Sequence, residues 1–278
     1  MLRRRDEIEL KTAEQVTLMR KAGLVVAAGL AEMAEAAQPG VSTYELDQVG
    51  RNVLRRGHAV SSFLGYAGPP PFPGVICSSR NAKIVHGIPS KQDVLADGDL
   101  ISVDFGAIVD GWHADAAVTV SVGNVDAGSE ALSQACRKSL WDGIAAIRVG
   151  GRLTDISHAV ESSVRGSGDY GIITGYGGHG IGTEMHMAPH ILNYGRPGRG
   201  PRLAAGMVLA IEPMITLGSP HSRELSDRWT VVTADESRSA HWEHTVALLP
   251  DGLWVLTEPD GGRAELAARG VALSALAG

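Results

Sequence analysis

Four carboxylates stand in apolar surroundings, where an unpaired charge would be costly. Asp104 lies within the run LISVDFG and Glu212 within MVLAIEPMI. Asp115 and Glu243 stand in segments with strand-like patterns, WHADAAVTVSV and HWEHTVALL. Burying a carboxylate without a partner is unfavourable, and residues 100–122, which hold both aspartates, contain no lysine or arginine. Each carboxylate alone could be half of a buried salt bridge, but four together favour a bound cation.

The two aspartates are predicted to share one face of a β-hairpin. Strand-like runs flank Asp110 and Gly111, a dipeptide typical of two-residue hairpin turns. With that turn, Asp104 pairs with Ala117, and Asp115 lies two residues from the partner of Asp104 on the same face. Such diagonal neighbours lie roughly 7–8 Å apart, within reach of a shared ion. The alternative is that Asp115 is a solvated residue on an exposed face.

A histidine completes the candidate ligand set. His179 stands in YGGHGIG, where the glycines allow a sharp turn that directs the imidazole into a cavity. A histidine in a surface loop is the alternative. His86, in VHGIP, and His186 are further candidates, but neither has the HExxH spacing of a mononuclear zinc protease. One imidazole with four carboxylates favours Mn, Fe(II), Co or Zn in a dinuclear centre, which could clamp a tetrahedral intermediate.

The elements that must position these residues alternate between helical and strand patterns. Capping boxes at Thr12 and Ser42 predict two helices, which end near Pro39 and at Gly57. The other predicted elements are helices over residues 129–148 and 154–165, strands over 207–216, 229–234, 241–249 and 253–257, a turn at 250–252, a loop over 65–74, and a short helix or frayed tail after Gly261.

The composition is that of an ordinary globular protein. The 278 residues are 44% hydrophobic and 20% charged, and we expect one catalytic domain over 1–278 with tails of about 1–10 and about 262–278. The net charge of −6 argues against sequence-specific nucleic-acid binding, and the basic run at 3–5 is interpreted as a solvated tail. Two cysteines suit a reducing compartment. No signal-type or membrane-length apolar stretch is found, which predicts a cytoplasmic protein without a membrane partner.

A short pattern occurs twice along the chain. Glycine, two apolar residues and an acid have identical spacing at residues 98–104 and 206–212, and each time the acid is one of the candidate ligands. Each half of the chain also runs from helices to strands. The repetition hints at an α+β fold with two related halves.

The ordered motifs SVDFG, HADA, GGHGIG, MHMAPH, AIEPM and HWEHT resemble those of type I methionine aminopeptidases over nearly the whole chain. The resemblance implies the α+β pita-bread (creatinase/aminopeptidase) fold, with pseudo-two-fold related halves and an antiparallel sheet flanked by helices. It also implies removal of the N-terminal methionine from nascent proteins whose second residue is small. Type II enzymes carry a helical insertion for which the interval from His186 to Glu212 is too short. Prolidase, aminopeptidase P and creatinase carry a large N-terminal domain that would not fit.

The resemblance also assigns roles to individual residues. It implies two divalent ions (Co, Mn, Fe or Zn) bound by Asp104, Asp115, His179, Glu212 and Glu243, of which Asp115 and Glu243 bridge the ions. Glu212 would also take a proton from the attacking water and pass it to the leaving amine. His86 would contact the nitrogen of the scissile bond, and His186 would polarise its carbonyl. We expect a monomer that acts on nascent chains, with the ribosome near the exit tunnel as a further partner.

The methionine pocket is where this sequence departs from the family pattern. By the resemblance, its residues are Phe63, Tyr66, Cys77, Met185 and Trp229. Phe63 replaces a smaller residue, Met185 replaces a phenylalanine, and the loop at 69–73 is longer and richer in proline. The departures concern the shape of the pocket and leave the metal ligands intact. Two alternatives remain: an aminopeptidase of the same fold with another residue preference, and a non-catalytic member that binds proteins.

Overall fold

The computed structural model describes residues 7–66, 68 and 70–278. Its helices are α1 (Ala13–Ala36), α2 (Thr43–Arg56), α3 (Ala127–Ala145), α4 (Leu153–Ser167) and α5 (Arg263–Ala268), with a 3-10 turn at Ala275–Ala277. Its strands are β1 (Val60–Ser61), β2 (Ile76–Arg80), β3 (Lys83–Val85), β4 (Leu100–Val109), β5 (Trp112–Ser121), β6 (Gly171–Ile172), β7 (Gly177–Gly180), β8 (Met187–Leu192), β9 (Val208–Ile211), β10 (Met214–Thr216), β11 (Ser222–Glu224), β12 (Val231–Thr233), β13 (Ser239–His241), β14 (His244–Leu249) and β15 (Gly252–Val255). The predictions for residues 3–5, for the start of the N-terminal tail and for Pro69 lie outside the described residues.

The first half of the fold is a helix pair packed on a hairpin. Thr12 and Ser42 cap α1 and α2, and each forms the predicted capping box with the residue three positions on. Helix α1 lies against β4 and β5. The contact is close because Gly29 of α1 sits over the Phe105 ring, which an added methyl group would meet at 2.4 Å. This packing holds the long hairpin, and the aspartates on it, against a buried apolar core.

The hairpin forms in the predicted register. Asp110 and Gly111 have φ angles of 52° and 81°, the left-handed pair that a tight type I′ turn requires. Asp104 therefore pairs with Ala117, and Gly106 pairs with Asp115. The two carboxylates emerge on one face of the sheet, as the sequence predicts.

The second half repeats the arrangement with α3 and α4. Helix α3 begins two residues earlier than predicted because the side chain of Asp126 accepts a hydrogen bond from the Ser129 amide and caps the helix. It ends at Ala145, three residues early, and α4 extends two residues beyond its predicted end to Ser167. The two helices pack on each other and cover an apolar core shared with the strands behind them.

All ladder pairs in the described part of the chain are antiparallel. The strand orders are β15-β14-β9-β7-β8, β13-β10-β6, β11-β12-β3 and β1-β4-β2 with β5 on the other side of β4. Two predictions of continuous strands are wrong. Residues 207–216 divide into β9 and β10, and residues 241–249 begin in β13 and continue in β14, because in each case the chain leaves one sheet and enters another. The predicted strand over 229–234 is shorter, and α5 is the predicted short helix after Gly261.

The two halves join through backbone and side-chain hydrogen bonds. Ala117 and Glu243 form an isolated antiparallel bridge, with N···O distances of 3.3 and 2.9 Å. Beside it, the Thr245 hydroxyl accepts a hydrogen bond from the Asp115 amide at 3.0 Å and donates one to the Asp115 carbonyl at 2.7 Å. The candidate ligands therefore lie at the contact between the halves. None of the described helices has the length and apolar character needed to cross a bilayer.

Candidate metal centre and substrate pocket

The hairpin contributes two carboxylates on neighbouring strands. These are Asp104 on β4 and Asp115 on β5, and the charge of Asp115 adds to burial in raising the pKa of Asp104. The Oδ1 atom of each is buried and has no hydrogen-bond partner in the described structure. Unpaired buried carboxylate oxygens are unfavourable, so these atoms favour a ligand that supplies positive charge.

The second half contributes two glutamates at breaks between strands. Glu212 lies between β9 and β10, and Glu243 lies between β13 and β14. The expectation that both lie within continuous strands is wrong. The two segments run antiparallel, with Ile211 opposite His244 in one sheet and Met214 opposite His241 in the next. The side chains of both glutamates therefore project from the points where the chain passes from one sheet to another, and they lie near the hairpin aspartates.

His179 lies in strand β7 and not in a loop, which corrects the sequence interpretation. Its glycines serve close packing between strands: a methyl group on Gly178 would lie 2.2 Å from the Ala210 carbonyl oxygen, and one on Gly180 would lie 2.1 Å from that of Ala188. Nδ1 of His179 lies 3.0 Å from the Gly180 carbonyl oxygen, which can only accept, so Nδ1 is the donor. The free Nε2 is directed at Glu212, 3.6 Å from Oε1.

The electrostatics of the cluster call for a cation. Burial raises the pKa of Asp104, Glu212 and Glu243 well above the ordinary value, and their negative neighbours raise it further. Burial also raises the pKa of Asp115 to about 7. No lysine or arginine among the described residues forms an ion pair with these four carboxylates, and the pKa of His179 is lowered to about 3, mainly by burial. A divalent ion would supply the missing positive charge.

The donor atoms form two overlapping groups. Asp115, His179 and Glu243 offer ligand atoms within 4.8 Å of one another, and so do Glu212, His241 and Glu243. Carboxylate oxygens with imidazole nitrogens are a donor set that suits divalent first-row metals. The five ligands predicted from the sequence lie together around one cavity. The geometry therefore fits bound divalent metal.

His241 was missed by the sequence interpretation. Its side chain is 2% exposed, and Nε2 lies 3.6 Å from Glu212 Oε2 and 4.0 Å from Glu243 Oε2. A signal was present: His241 and Glu243 are two positions apart in an extended segment, and alternate residues of such a segment point the same way. Burial lowers the pKa of His241 to about 3. The ring is therefore neutral over the range in which a protein normally works.

An apolar wall and the carboxylates line one cavity of about 120 Å³. Phe63, Cys77 and Met185 are each 5% exposed, and Tyr66 and Trp229 close the cluster. All five predicted pocket residues thus line the same cavity as the metal-ligand candidates, and the two sets are named the apolar side and the metal-ligand side of the cavity. Phe72 also belongs to this wall, and its ring packs edge-on against Phe63 and Trp229. The sequence interpretation missed it because Phe72 stands in a proline-rich loop, where no pattern marks a buried aromatic residue.

Two further histidines lie at the entrance of this cavity. His86 has a left-handed φ of 58°, which directs its ring between those of Tyr176 and Trp229, and burial lowers its pKa to about 4. His186 is exposed; its Nδ1 lies 2.6 Å from the Tyr66 hydroxyl oxygen, and its ring lies 4.3 Å from that of His179. Both histidines also line a cleft of about 1100 Å³ that leads to the protein surface.

Fold and site together define a metallopeptidase, and comparison with known proteins supports this class. Residues 17–249 match the model of metallopeptidase family M24. The chain belongs to this family.

Similar proteins narrow the class. Methionine aminopeptidase 1 of Mycobacterium tuberculosis is 53% identical over 92% of this chain and 97% of its own length. Methionine aminopeptidase 1 of Bacillus subtilis is 43% identical over 89% of this chain and 98% of its own. These relatives confirm the resemblance that the motifs indicate.

Solved structures give the same result for the fold. The crystal structure of methionine aminopeptidase from Thermotoga maritima superposes with a TM-score of 0.87 at 38% identity, covering 91% of this chain and all of the other. Prolidase from Pyrococcus furiosus superposes with a TM-score of 0.71 at 20% identity, covering 90% of this chain and 65% of the other. The second likeness concerns the fold alone. The pita-bread fold is confirmed.

Proposed function

We propose that this chain removes the N-terminal methionine from polypeptides whose second residue is small, by metal-dependent hydrolysis of the first peptide bond. The observation that carries the proposal is that an apolar wall and a cluster of carboxylates and imidazoles line the same cavity. Methionine is unbranched and flexible, so its side chain can enter a narrow apolar slot. Relatives that match nearly the whole chain are named for this activity.

In this proposal two divalent ions are held by the predicted ligands, Asp104, Asp115, His179, Glu212 and Glu243. Glu243 belongs to both groups of donor atoms and Asp115 to one of them, and both carboxylates would help to hold the ions. The ions supply Lewis acidity that activates water and polarises a carbonyl. Co, Mn, Fe and Zn all suit this mixture of oxygen and nitrogen donors.

Glu212 is the proposed proton carrier. Burial, and then the charge of Asp115, raise the pKa of Glu212 well above its ordinary value, which favours a carboxylate that can take a proton and pass it on. It takes a proton from the attacking water and delivers it to the leaving amine. The side chain is held between two imidazoles, with His179 3.6 Å from Oε1 and His241 3.6 Å from Oε2.

His86 and His186 are the proposed contacts to the scissile bond. The Tyr66 hydroxyl oxygen lies 2.6 Å from Nδ1 of His186. With the hydroxyl as donor, the Nε2 proton of His186 would be free to be donated to the carbonyl oxygen of the substrate. His86, which lines the same cavity, would contact the nitrogen of that bond. The substrate's α-amine has a pKa of about 7.7–8.0 and can lose its proton at neutral pH. Binding of that amine at the metal centre would limit the enzyme to the first residue.

The test is hydrolysis of Met-Ala-Ser by the purified protein, stripped of metal and then supplied with Co(II), Mn(II), Fe(II) or Zn(II) in turn. Release of methionine that depends on added metal is expected. A protein that binds two equivalents of metal and releases no methionine would fit the non-catalytic alternative instead.

A second candidate is an aminopeptidase of the same fold with another residue preference. The aromatic packing of Phe63, Phe72 and Trp229 favours it, because these rings narrow the pocket. Comparing Met-Ala-Ser with Leu-Ala-Ser and Ala-Ala-Ser separates the two candidates. Equal or faster cleavage of a peptide without methionine would favour the second.

We further propose that the protein acts as a monomer in the cytoplasm, on nascent chains near the ribosomal exit tunnel, where N-terminal methionines first become accessible. Sedimentation of the protein with and without ribosomes tests the monomer and the association together. A stable dimer would contradict the proposed monomer. No cosedimentation with ribosomes at low salt would contradict the proposed association.

A further inference from the structure

His241 carries a buried nitrogen atom that the described structure leaves without a partner. Its Nε2 accepts and donates no hydrogen bond, although the side chain is 2% exposed. Leaving a buried polar atom unpaired costs about 1–3 kcal/mol, so such an atom in a folded protein needs an explanation. The atom points into the metal-ligand cluster, towards Glu212 and Glu243.

The distances exclude a direct hydrogen bond and fit a shared ion. Nε2 lies 3.6 Å from Glu212 Oε2 and 4.0 Å from Glu243 Oε2, whereas N–H···O bonds span about 2.7–3.2 Å. Ligand atoms at about 2.1 Å from one ion are separated by about 3.0 Å at a right angle and about 4.2 Å when opposite. Both distances lie within this range. His179 stands in the same relation to the other oxygen of Glu212, at 3.6 Å.

Hydrogen bonds to Ser102 and Thr119 fix the backbone of His241. Its amide donates to the hydroxyls of Ser102 and Thr119 at 3.2 and 3.0 Å, and its carbonyl oxygen accepts from Thr119 at 2.7 Å. The next residue, Trp242, points the opposite way and donates from its indole nitrogen to Ser133. These hydrogen bonds fix the backbone of His241, the last residue of β13, and so keep its imidazole beside the metal-ligand cluster.

From this geometry we infer that His241 is a sixth protein ligand, donating Nε2 to the divalent ion that lies beside Glu212 and Glu243. The inference rests on the proposed metal-dependent function and adds a second imidazole to its ligand set. Imidazole nitrogen suits Fe, Co and Zn, whereas sites of oxygen donors alone suit Mn. His241 therefore shifts the preference of the centre towards Co(II), Fe(II) and Zn(II).

A direct test counts the imidazole ligands. In protein loaded with Co(II), each coordinated imidazole should give one hyperfine-shifted ring N–H proton signal that disappears in D₂O. The wild type should give two such signals, from His179 and His241, and His241→Gln should give one. A single signal in the wild type overturns the inference and leaves His241 as a residue that only orients Glu212.

Metal affinity gives an independent readout. In calorimetric titrations of the metal-free protein, His241→Gln should bind Co(II) at least about tenfold more weakly, the smallest loss expected when a group supporting a metal centre is removed. Mn(II) affinity should fall less, so the Co(II) to Mn(II) ratio of affinities should drop. His158→Gln, at an exposed position on α4, is the matched control and should leave both affinities unchanged.

The outcomes separate this inference from the proposed function. An unchanged Co(II) to Mn(II) ratio in His241→Gln would contradict the ligand role while leaving metal-dependent peptide hydrolysis intact. Failure of the wild type to release methionine with any metal would contradict the proposed function, but the NMR signal count would still decide the role of His241.

Discussion

The two sides of the cavity are built differently. The metal-ligand side comes from strands and strand junctions of both halves, and several of its residues are held by backbone ladders or bridges, as Asp104, His179 and Glu243 are. The apolar side comes largely from connecting segments: Phe63 and Phe72 lie between β1 and β2. Chemistry requires donor atoms held to within a fraction of an ångström, whereas a hydrophobic slot tolerates small shifts. We therefore expect reactivity to depend on the strands and selectivity on the loops.

The comparison predicts two separable classes of variant. Changes on the metal-ligand side should alter metal content or turnover and leave the preference for methionine over leucine unchanged. Changes on the apolar side should alter the preference and leave metal content unchanged.

The largest effect is expected for Asp104→Asn. Loss of this carboxylate should lower metal stoichiometry and reduce kcat/KM by a factor on the order of 10⁴, the scale seen when one member of a catalytic unit is removed. Asp110→Asn is the matched control, since Asp110 is exposed at the turn of the same hairpin and asparagine tolerates its left-handed φ of 52°. Full activity of Asp104→Asn after chelation and dialysis would show that this residue is no ligand.

A large effect on turnover alone is expected for His86→Asn. The variant should lose about 10²-fold in kcat, the lower end of what a positioned acid–base group contributes, with unchanged metal content by elemental analysis. Asparagine suits the left-handed backbone at this position, so the fold should persist. His58→Asn, at an exposed residue with φ of 49°, controls for the backbone conformation. If His86→Asn loses one ion, the assignment of His86 to the substrate is wrong.

A smaller effect, confined to selectivity, is expected for Phe63→Cys. Removing the ring should widen the slot and let Leu-Ala-Ser compete. The ratio of kcat/KM for the methionine over the leucine peptide should therefore fall roughly 10–200-fold, which corresponds to about 1–3 kcal/mol of discrimination. Leu64→Cys is the control, because Leu64 is the next residue and is 50% exposed. A changed metal stoichiometry in Phe63→Cys would break the separation between the two sides.

The smallest effect concerns pH. Burial raises the pKa of Asp115 to about 7 and raises those of Asp104, Glu212 and Glu243 as well. The metal-free site therefore holds protons that metal binding must displace, and metal affinity should rise with pH through the range in which these carboxylates ionise. The change should be about tenfold per pH unit for each displaced proton. His179 and His241, with pKa values lowered to about 3, add nothing in this range. Titrations in buffers of different ionisation enthalpy measure the released protons; equal release at pH 6 and pH 8 would contradict the prediction. The ratio of kcat/KM for the methionine over the leucine peptide should not change with pH.

Local signals predicted much of this fold. The capping boxes at Thr12 and Ser42 are complete within four residues, so both helices begin where the sequence indicates. Asp110 and Gly111 determine the register of the hairpin by themselves, because a two-residue turn leaves one way to pair the strands. Asp104 and Asp115 were predicted together for the same reason. The prediction of His179, Glu212 and Glu243 as ligands beside them came from the family resemblance, because the elements around these three residues were not predicted correctly.

The remaining features depend on tertiary contacts. The sequence of the apolar segment 207–216 is compatible with one strand or with two. Where it breaks depends on which sheet each part joins. Phe72 is buried only because Phe63 and Trp229 surround it. His241 differs: its spacing from Glu243 was visible, but it stands outside the ligand positions that the family resemblance carried over.

The glycines around His179 have a consequence for how this protein can evolve. Gly178 and Gly180 perform no chemistry, yet a methyl group on either would lie within about 2.2 Å of a carbonyl oxygen of a neighbouring strand. Almost every amino-acid substitution at these two positions should therefore be as harmful as loss of a ligand. In a saturation-mutagenesis screen, the region intolerant of substitution would therefore be larger than the set of residues that take part in catalysis. Some positions would be intolerant because the backbone is crowded there, and others because their side chains are needed for the reaction.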